Sequence, residues 1–315
     1  MEYRILGRTG IRVSRLCFGA LTIGPLQAKL PVKEGARIIQ GALDAGVNFI
    51  DTAELYGTYE YIREGIAGRA GSVVIATKSY AYTREGMRGS IEKALKETGR
   101  DYIDIFLLHE QESELTIRGH WDAVEEMIEA KERGTVRALG ISTHSVRGVR
   151  AAAAVQEFDV IHPLINMKGI GIRDGTVEDM KAAIADAFMA GKGLYGMKAL
   201  GGGNLINDKR EAFDFVLSIP GLSSVAVGMQ SLAEVRYNVA FFEGRQVGRE
   251  LELMVSRRNR RLHIEDWCSG CGSCVERCSE GALALTGGKA VVDAAGCRLC
   301  GYCATACREM CIKII

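Results

Sequence analysis

Asn48-Phe49-Ile50-Asp51, Val74-Ile75-Ala76-Thr77-Lys78 and Ile105-Phe106-Leu107-Leu108-His109 repeat one pattern, a short apolar run that ends on an ionisable side chain. Runs that are continuously apolar, rather than alternating, read as strands buried on both faces, as in a parallel sheet. Working outward, residues 16–19, 48–53, 73–78, 103–109, 136–143, 160–166, 194–200 and 225–229 give eight such segments. Helical patterns lie between them, for example over 83–97, 121–131, 176–190 and 232–242. Eight strand–helix units predict an α/β fold, the (α/β)8 TIM barrel, typically ~250 residues long. An open doubly wound sheet is the competing arrangement, but no GxGxxG follows the first strand. A hairpin over residues 3–5, turning at 7–10 and returning at Val13, precedes the barrel. The barrel is assigned to residues 1–255 and a small second domain to 256–315.

The second domain reads Cys268-x2-Cys271-x2-Cys274-x3-Cys278 and then Cys297-x2-Cys300-x2-Cys303-x3-Cys307. This is the bacterial iron–sulfur spacing, in which the fourth cysteine of each run serves the other cubane cluster. The crossing assigns Cys268, Cys271, Cys274 and Cys307 to one [4Fe–4S] cluster, and Cys297, Cys300, Cys303 and Cys278 to another. Zinc also takes thiolates at this softness and is the alternative, although a zinc ribbon is built from two CxxC pairs. Disulfides fit less well, because nothing here looks secreted. Cys17 and Cys311 have no vacancy to fill and read as inert buried thiols. The tail resembles a two-cluster bacterial ferredoxin, with Ser279 and Arg308 where that family usually carries proline. A segment of about 50 residues supports little hydrophobic core, so clusters are expected to hold it folded.

The chain has 315 residues, 47% hydrophobic, and a formal net charge of +1, which gives no global pull toward nucleic acid or acidic membranes. No apolar run approaches the ~20 residues of a membrane span, and Met1-Glu2-Tyr3-Arg4 does not open a signal peptide. Eight cysteines needed as thiolates imply a reducing, cytoplasmic setting. Arg257, Arg258, Arg260 and Arg261 are nearly contiguous at the junction. They read as a solvated helix end or, alternatively, as a docking surface for an acidic redox protein partner.

In a TIM barrel the carboxyl ends of the strands line the active site, so Asp51, Lys78 and His109 are aimed at one place, with Tyr56 in the loop after Asp51. Each alone has an ordinary explanation as a cap, a solvated lysine, a satisfied core histidine or a packed ring. Together they suggest a proton donor. A phenol with pKa near ~10 is a poor acid, and an ammonium beside it lowers that value. Asp51 would pair with Lys78 and fix it, while His109 would hydrogen-bond and orient the substrate oxygen. The set would protonate a carbonyl that is being reduced.

Asp51-Thr52-Ala53-Glu54-Leu55-Tyr56-Gly57, Ala76-Thr77-Lys78, Leu107-Leu108-His109 and Gly140-Ile141-Ser142 resemble the aldo-keto reductase family over roughly residues 1–240. With its cysteine tail the chain is similar to the subgroup carrying a C-terminal 4Fe–4S domain. The resemblance implies a barrel that binds NAD(P)(H) without a Rossmann domain, with Asp51, Tyr56, Lys78 and His109 as a tetrad and Tyr56 as general acid/base. It places Ser142, Thr143 and Asn166 on the nicotinamide carboxamide. After strand seven the family's stacking ring is missing, and Met197-Lys198-Ala199-Leu200-Gly201 stands there. Gly228, Gln230 and Asn238 match the phosphate-and-adenine stretch. Glu234 stands where NADPH-preferring members often carry Arg, and its charge would repel a 2′-phosphate and favour NADH. A dinucleotide site that has drifted is an equal reading of these departures.

Nicotinamide passes two electrons as hydride and each cluster passes one, so coupling them ordinarily needs a splitter such as flavin, for which no motif is present. Three readings follow. The first is an oxidoreductase on a small-molecule carbonyl or alcohol that uses NAD(P)H and exchanges electrons through the clusters. The second is a cluster-driven reductase without nicotinamide, and the third an electron carrier with the barrel as scaffold. Substrate choice would sit in loops such as 25–31 and 111–119.

Overall fold

The structure is a computed structural model and describes residues 1–255 and 260–315. An antiparallel hairpin, β1 (Tyr3–Ile5) and β2 (Arg12–Ser14), precedes eight parallel strands. These are β3 (Leu16–Gly19), β4 (Phe49–Asp51), β5 (Val74–Ser79), β6 (Ile103–Leu108), β7 (Val136–Thr143), β8 (Val160–Pro163), β9 (Gly193–Gly196) and β10 (Leu222–Gly228). They pair in chain order, and β10 closes on β3 to complete the expected eight-stranded barrel. Because both faces of each strand are covered, β5 and β6 are buried at every residue. The inner layer includes Cys17, Phe49, Ala76, Leu107, Ala138, Val160 and Tyr195, and Leu6, Ile11 and Val13 pack against it from the hairpin. The outer faces pack on helices whose apolar residues recur at helical spacing, such as Ile38, Ile39 and Ala42 of Val32–Asp44. Local signals fix the helix starts. The Thr83 side chain accepts from the Gly86 N–H, and Thr176 and Asp179 form a reciprocal capping box.

Three strands are markedly shorter than expected, the first being the run 48–53, which is strand only over Phe49–Asp51. The runs 160–166 and 194–200 end as strands at Pro163 and Gly196, and one isolated bridge, Leu164 to Met197, follows. The reason is local. The Asn166 carboxamide oxygen accepts the N–H groups of Lys168 and Ile170, which folds the chain into a turn, and Lys198 adopts a left-handed φ of 62°.

Beyond the barrel, β11 (Leu262–Ile264) pairs antiparallel with β14 (Ile312–Ile314), and β12 (Leu283–Thr286) pairs with β13 (Lys289–Val292). Gly287 and Gly288 join the latter pair with φ of 59° and 76°, the signs a two-residue type I′ turn requires. One-turn helices Ser273–Glu276 and Tyr302–Thr305 each follow a left-handed glycine, Gly272 and Gly301. The tail sits against the barrel's loops. Leu164, Ile170, Leu205 and Ala212 share an apolar cluster with Leu262, Met310, Ile312 and Ile314. The expected division after residue 255 adjoins residues 256–259, which lie outside the described set, as do Arg257 and Arg258.

The seam between tail and barrel is close-fitting at Gly203. The Ile314 N–H donates to the Gly202 carbonyl at 2.9 Å, and the Asn204 side chain donates to the Ile312 carbonyl at 3.1 Å. Gly203 has φ of 88°, and a Cβ there would lie 2.0 Å from the Ile314 carbonyl oxygen. Gly203→Ala therefore combines overpacking with a disfavoured backbone, together about 1–3 kcal/mol or more. The expected result is earlier proteolysis within 262–315 than within β3–β10. Unchanged digestion would reject that role for the seam.

Candidate active site and cysteine cavities

Strands β4, β5 and β6 deliver Asp51, Lys78 and His109 to the barrel mouth, as their positions at the strand ends led us to expect. The Lys78 ammonium donates to Asp51 Oδ1 and Oδ2 at 2.8 and 2.9 Å and to the Thr52 carbonyl at 2.7 Å. All three of its donors are thereby used. Lys78 is 1% exposed and Asp51 5%, so this is a buried pair. Tyr56 is half-buried on the short 3-10 turn Glu54–Tyr56, closed by left-handed Gly57. Its ring lies 5.2 Å from Lys78 Nζ and edge-on to the His109 ring at 5.7 Å. Tyr80 stacks on the other side of His109 at 4.3 Å.

The electrostatics correct one expectation. Lys78 was expected to lower the Tyr56 pKa, but the phenol is pushed well above its ordinary value, by burial first and by the Asp51 carboxylate second. The ammonium has given all its hydrogen bonds to Asp51 and Thr52 and none to the phenol. Tyr56 is held in its protonated, donating form. His109 is pushed the other way, well below its ordinary value, by burial and by the Lys78 charge, and stands as a neutral imidazole. Its Nδ1 is buried with no partner among the described residues.

Two further side chains complete the inner layer, and the sequence reading missed both. Tyr195 on β9 donates to Asp51 Oδ1 at 2.9 Å, and His162 on β8 stacks on Tyr195 at 3.8 Å with its Nε2 3.6 Å from the same oxygen. Both were detectable as polar residues interrupting otherwise apolar runs, His162 after Val160-Ile161 and Tyr195 after Leu194.

The three buried histidines give a pH signature. Burial lowers His144 to about 4 and His162 to about 3, and drives His109 down as well. The unfolded chain takes up these protons near pH ~6.5 while the folded chain resists them, so stability falls as pH drops below that value. The midpoint of urea unfolding is expected to decrease steadily from pH 7 to pH 5. A flat profile would mean that the histidines are charged when folded.

A cavity with about 160 Å³ of free space opens at the mouth beside Asp51 and Tyr56. Lys198, Leu200, Gly228, Gln230, Glu234 and Asn238 line it, and so does Gln27 from the loop 25–31. Ser142, Thr143, Asn166 and Gly201 do not line this cavity. Ser142 Oγ accepts from the Glu110 N–H at 2.9 Å, and Thr143 Oγ1 accepts from the Ser145 N–H at 2.9 Å. Asn166 is occupied closing its own turn, its amide donating to the Ile170 carbonyl at 2.9 Å. The stretch expected on phosphate and adenine thus faces the cavity, while the groups expected on the carboxamide are engaged within the protein. Residues 111–119 contribute no lining side chain and instead form the helix Glu114–Gly119.

Glu234 also differs from expectation. One of its oxygens accepts from the Gln230 N–H at 2.7 Å, and the other pairs with Arg260. That guanidinium offsets the charge that was expected to repel a 2′-phosphate, which removes the electrostatic reason for favouring NADH. Arg260 accordingly points into the cavity wall rather than out toward a redox partner. Lys313, Ile314 and Ile315 complete the same wall from the tail.

The tail's thiols line two separate cavities. One, of about 240 Å³, is lined by Cys268, Cys271, Cys274, Cys307 and also Cys311; the other is lined by Cys278, Cys297, Cys300 and Cys303. All ten cysteines of the chain are free. The partition follows the crossed assignment read from the spacing. Among the described residues no group of three or more His, Cys, Asp or Glu side chains is placed to hold a metal ion. Backbone N–H groups of Ala290 and Cys311 donate to Cys268 Sγ and Cys307 Sγ at 3.5 and 3.2 Å. An all-thiolate donor set with amide donors to sulfur fits the chemistry of an iron–sulfur cluster. Cys17 is fully buried within the barrel, as expected, whereas Cys311 is buried yet lines the first cavity.

No helix among the described residues is long and apolar enough to cross a membrane. The chain is similar to the oxidoreductase YrpG of Bacillus subtilis, 35% identical over 45% of this chain and 49% of that one. The aldo-keto reductase YhdN of the same organism is 30% identical over 53% of this chain and 54% of its own. The chain thus spans about half the length of these curated relatives. Among solved structures, PA4992 from Pseudomonas aeruginosa superposes with a TM-score of 0.67 at 27% identity, over 77% of this chain and 95% of that one. The holo form of AKR11C1 from Bacillus halodurans, 20% identical, shares the fold with a TM-score of 0.67. The family model described as Aldo/keto reductase family matches residues 15–217, and the chain is a member of that family of oxidoreductases.

Proposed function

We propose that the barrel mouth reduces a small-molecule carbonyl to an alcohol, or runs the reverse, and that the tail holds two [4Fe–4S] clusters. The observation that carries this reading is the grouping of a protonated phenol, Tyr56, a buried Lys78–Asp51 pair and a neutral His109, with Asp51 and Tyr56 lining the cavity and Lys78 and His109 set beside the Tyr56 ring. Tyr56 gives its proton to the carbonyl oxygen as the alcohol forms, and His109 orients that oxygen by hydrogen bonding. Lys78, fixed by Asp51 and Thr52, offsets the charge that develops on the phenolate. Cys268, Cys271, Cys274 and Cys307 would hold one cluster, and Cys297, Cys300, Cys303 and Cys278 the other, each passing one electron at a time when bound. A nicotinamide dinucleotide would lie with its adenine half along Gly228, Gln230, Glu234 and Asn238 and would supply hydride.

A second reading has its own support. Ser142, Thr143 and Asn166 are satisfied within the protein and no ring stands at Met197, which favours a cluster-driven reduction without nicotinamide. Carbonyl reduction takes two electrons and two protons, and two one-electron clusters match that count.

Anaerobic titration of the iron-loaded protein with NADH and then NADPH, followed by absorbance and EPR, separates the two. Bleaching with a new EPR signal supports the nicotinamide reading and a search for flavin. No bleaching, together with no carbonyl-dependent oxidation of either dinucleotide, moves the assignment to the cluster-driven one.

A further inference from the structure

The cavity beside Tyr56 is unusually rich in positive charge. Its two lining carboxylate side chains are both paired, Asp51 with Lys78 and Glu234 with Arg260. Three further lining residues are lysines: Lys209, which lies over the Tyr237 ring at 5.2 Å, and Lys198 and Lys313. No carboxylate among the described residues forms an ion pair with either Lys198 or Lys313. The acids whose charge reaches them, Glu110 and Glu265, act from beyond ion-pair distance. Lys198 is a non-glycine residue held at φ of 62°, in the left-handed region, and makes no side-chain hydrogen bond within the described structure. Such a conformation costs free energy and is retained where it aims a group. Lys313 is 4% exposed, and a single acceptor is recorded for its ammonium, the Met310 carbonyl.

Holding one buried and one half-buried ammonium group with no ion-paired carboxylate is unfavourable. The strain shows in their titration. Burial and then the Lys198 charge bring Lys313 down to about 7, and burial lowers Lys198. An anion between them relieves both.

We propose that Lys198 from the barrel and Lys313 from the tail together bind the carboxylate of the substrate, so that the enzyme acts on oxo acids or the matching hydroxy acids. The proposal rests on the reading of Tyr56 as proton donor, because the acid group then sits in the cavity that receives the carbonyl. It also explains why the tail is built into that wall. Charge-assisted contacts to a carboxylate would give the acid at least about a tenfold advantage over an uncharged analogue.

The test uses the cluster-loaded protein and calorimetric binding of phenylglyoxylate and 2-oxoglutarate against their methyl esters. The expected result is acid binding at least about tenfold tighter than ester, with the ratio collapsing toward one in Lys198→Met and in Lys313→Met and surviving in Lys198→Arg. Lys198→Met guards against misfolding, since that side chain supports no hydrogen bond. Esters that bind as tightly as acids, or acids that do not bind, overturn the proposal. Two rival sources of negative charge are separated by the same variants. If Lys313→Met shifts the cluster potential but leaves the acid-to-ester ratio, the lysine serves the nearby cluster and the proposal fails. If the variants weaken ADP-ribose and not the acids, the site belongs to dinucleotide phosphate and it fails likewise. Failure of the underlying reading looks different: Tyr56→Phe would then keep turnover, whatever the binding ratio.

Discussion

Tyr56→Phe is expected to lower carbonyl turnover about 10²–10⁴-fold while leaving the barrel and the tail's absorbance as they are. The magnitude is that of losing a positioned general acid. The structural silence follows from the surroundings. Tyr56 Oη takes part in no hydrogen bond among the described residues, so deleting it orphans no buried partner. The Lys78–Asp51 pair is held by Thr52 and Tyr195 rather than by Tyr56, and it should persist in the variant. His109 cannot readily substitute as acid, because burial and the Lys78 charge keep it neutral. Turnover within tenfold of the parent protein would sink the assignment and point to a proton from solvent or from the substrate itself.

The barrel and the Asp51, Lys78 and His109 ends were legible because buried parallel strands leave a plain record: an apolar run, then an ionisable group where the strand reaches the mouth. The two cysteine runs were legible from their spacing, and the two cavities are lined in the crossed pattern expected, except that Cys311 also lines the first. What failed was the inference from polarity to binding. Ser142, Thr143 and Asn166 are polar at strand ends, but Thr143 and Asn166 close local turns and Ser142 accepts from the distant Glu110 N–H, uses that compete with ligand contact and leave no distinct mark in sequence. Contacts between distant segments were out of reach altogether. Nothing in periodicity relates Arg260 to Glu234, or Lys313 to Lys198, and the charge balance of the cavity depends on both. The Tyr56 pKa was misjudged for the same reason, because the direction is set by burial and by where the Lys78 hydrogen bonds go.

Removing the two proposed clusters under anaerobic conditions is expected to unfold residues 260–315 and, with them, one wall of the barrel cavity. The tail has little else to hold it. Its sheets have two strands each, of three or four residues, and its helices are single turns. Two-stranded units of this size are marginal in water, and a core below ~70–80 residues rarely supplies more than about 3–5 kcal/mol. Two of its buried side chains, Cys274 and Cys303, are themselves cluster ligands in the proposed assignment. The barrel is different: it is a closed sheet with inner and outer apolar layers of its own, and it should survive. Hydrogen exchange read by mass spectrometry should therefore show lost protection across 260–315 and in the loop 197–208 that β14 covers, with β3–β10 unchanged. Loss of the wall also withdraws Lys313, Ile314 and Ile315 from the cavity and releases Glu234 from Arg260, so acids that bind the loaded protein should bind the stripped protein at least about tenfold more weakly. Full protection of the tail after stripping would mean that its packing on Leu164, Ile170 and Leu205 suffices without metal. Lost protection with undiminished acid binding would confine the tail to electron transfer and detach it from substrate recognition.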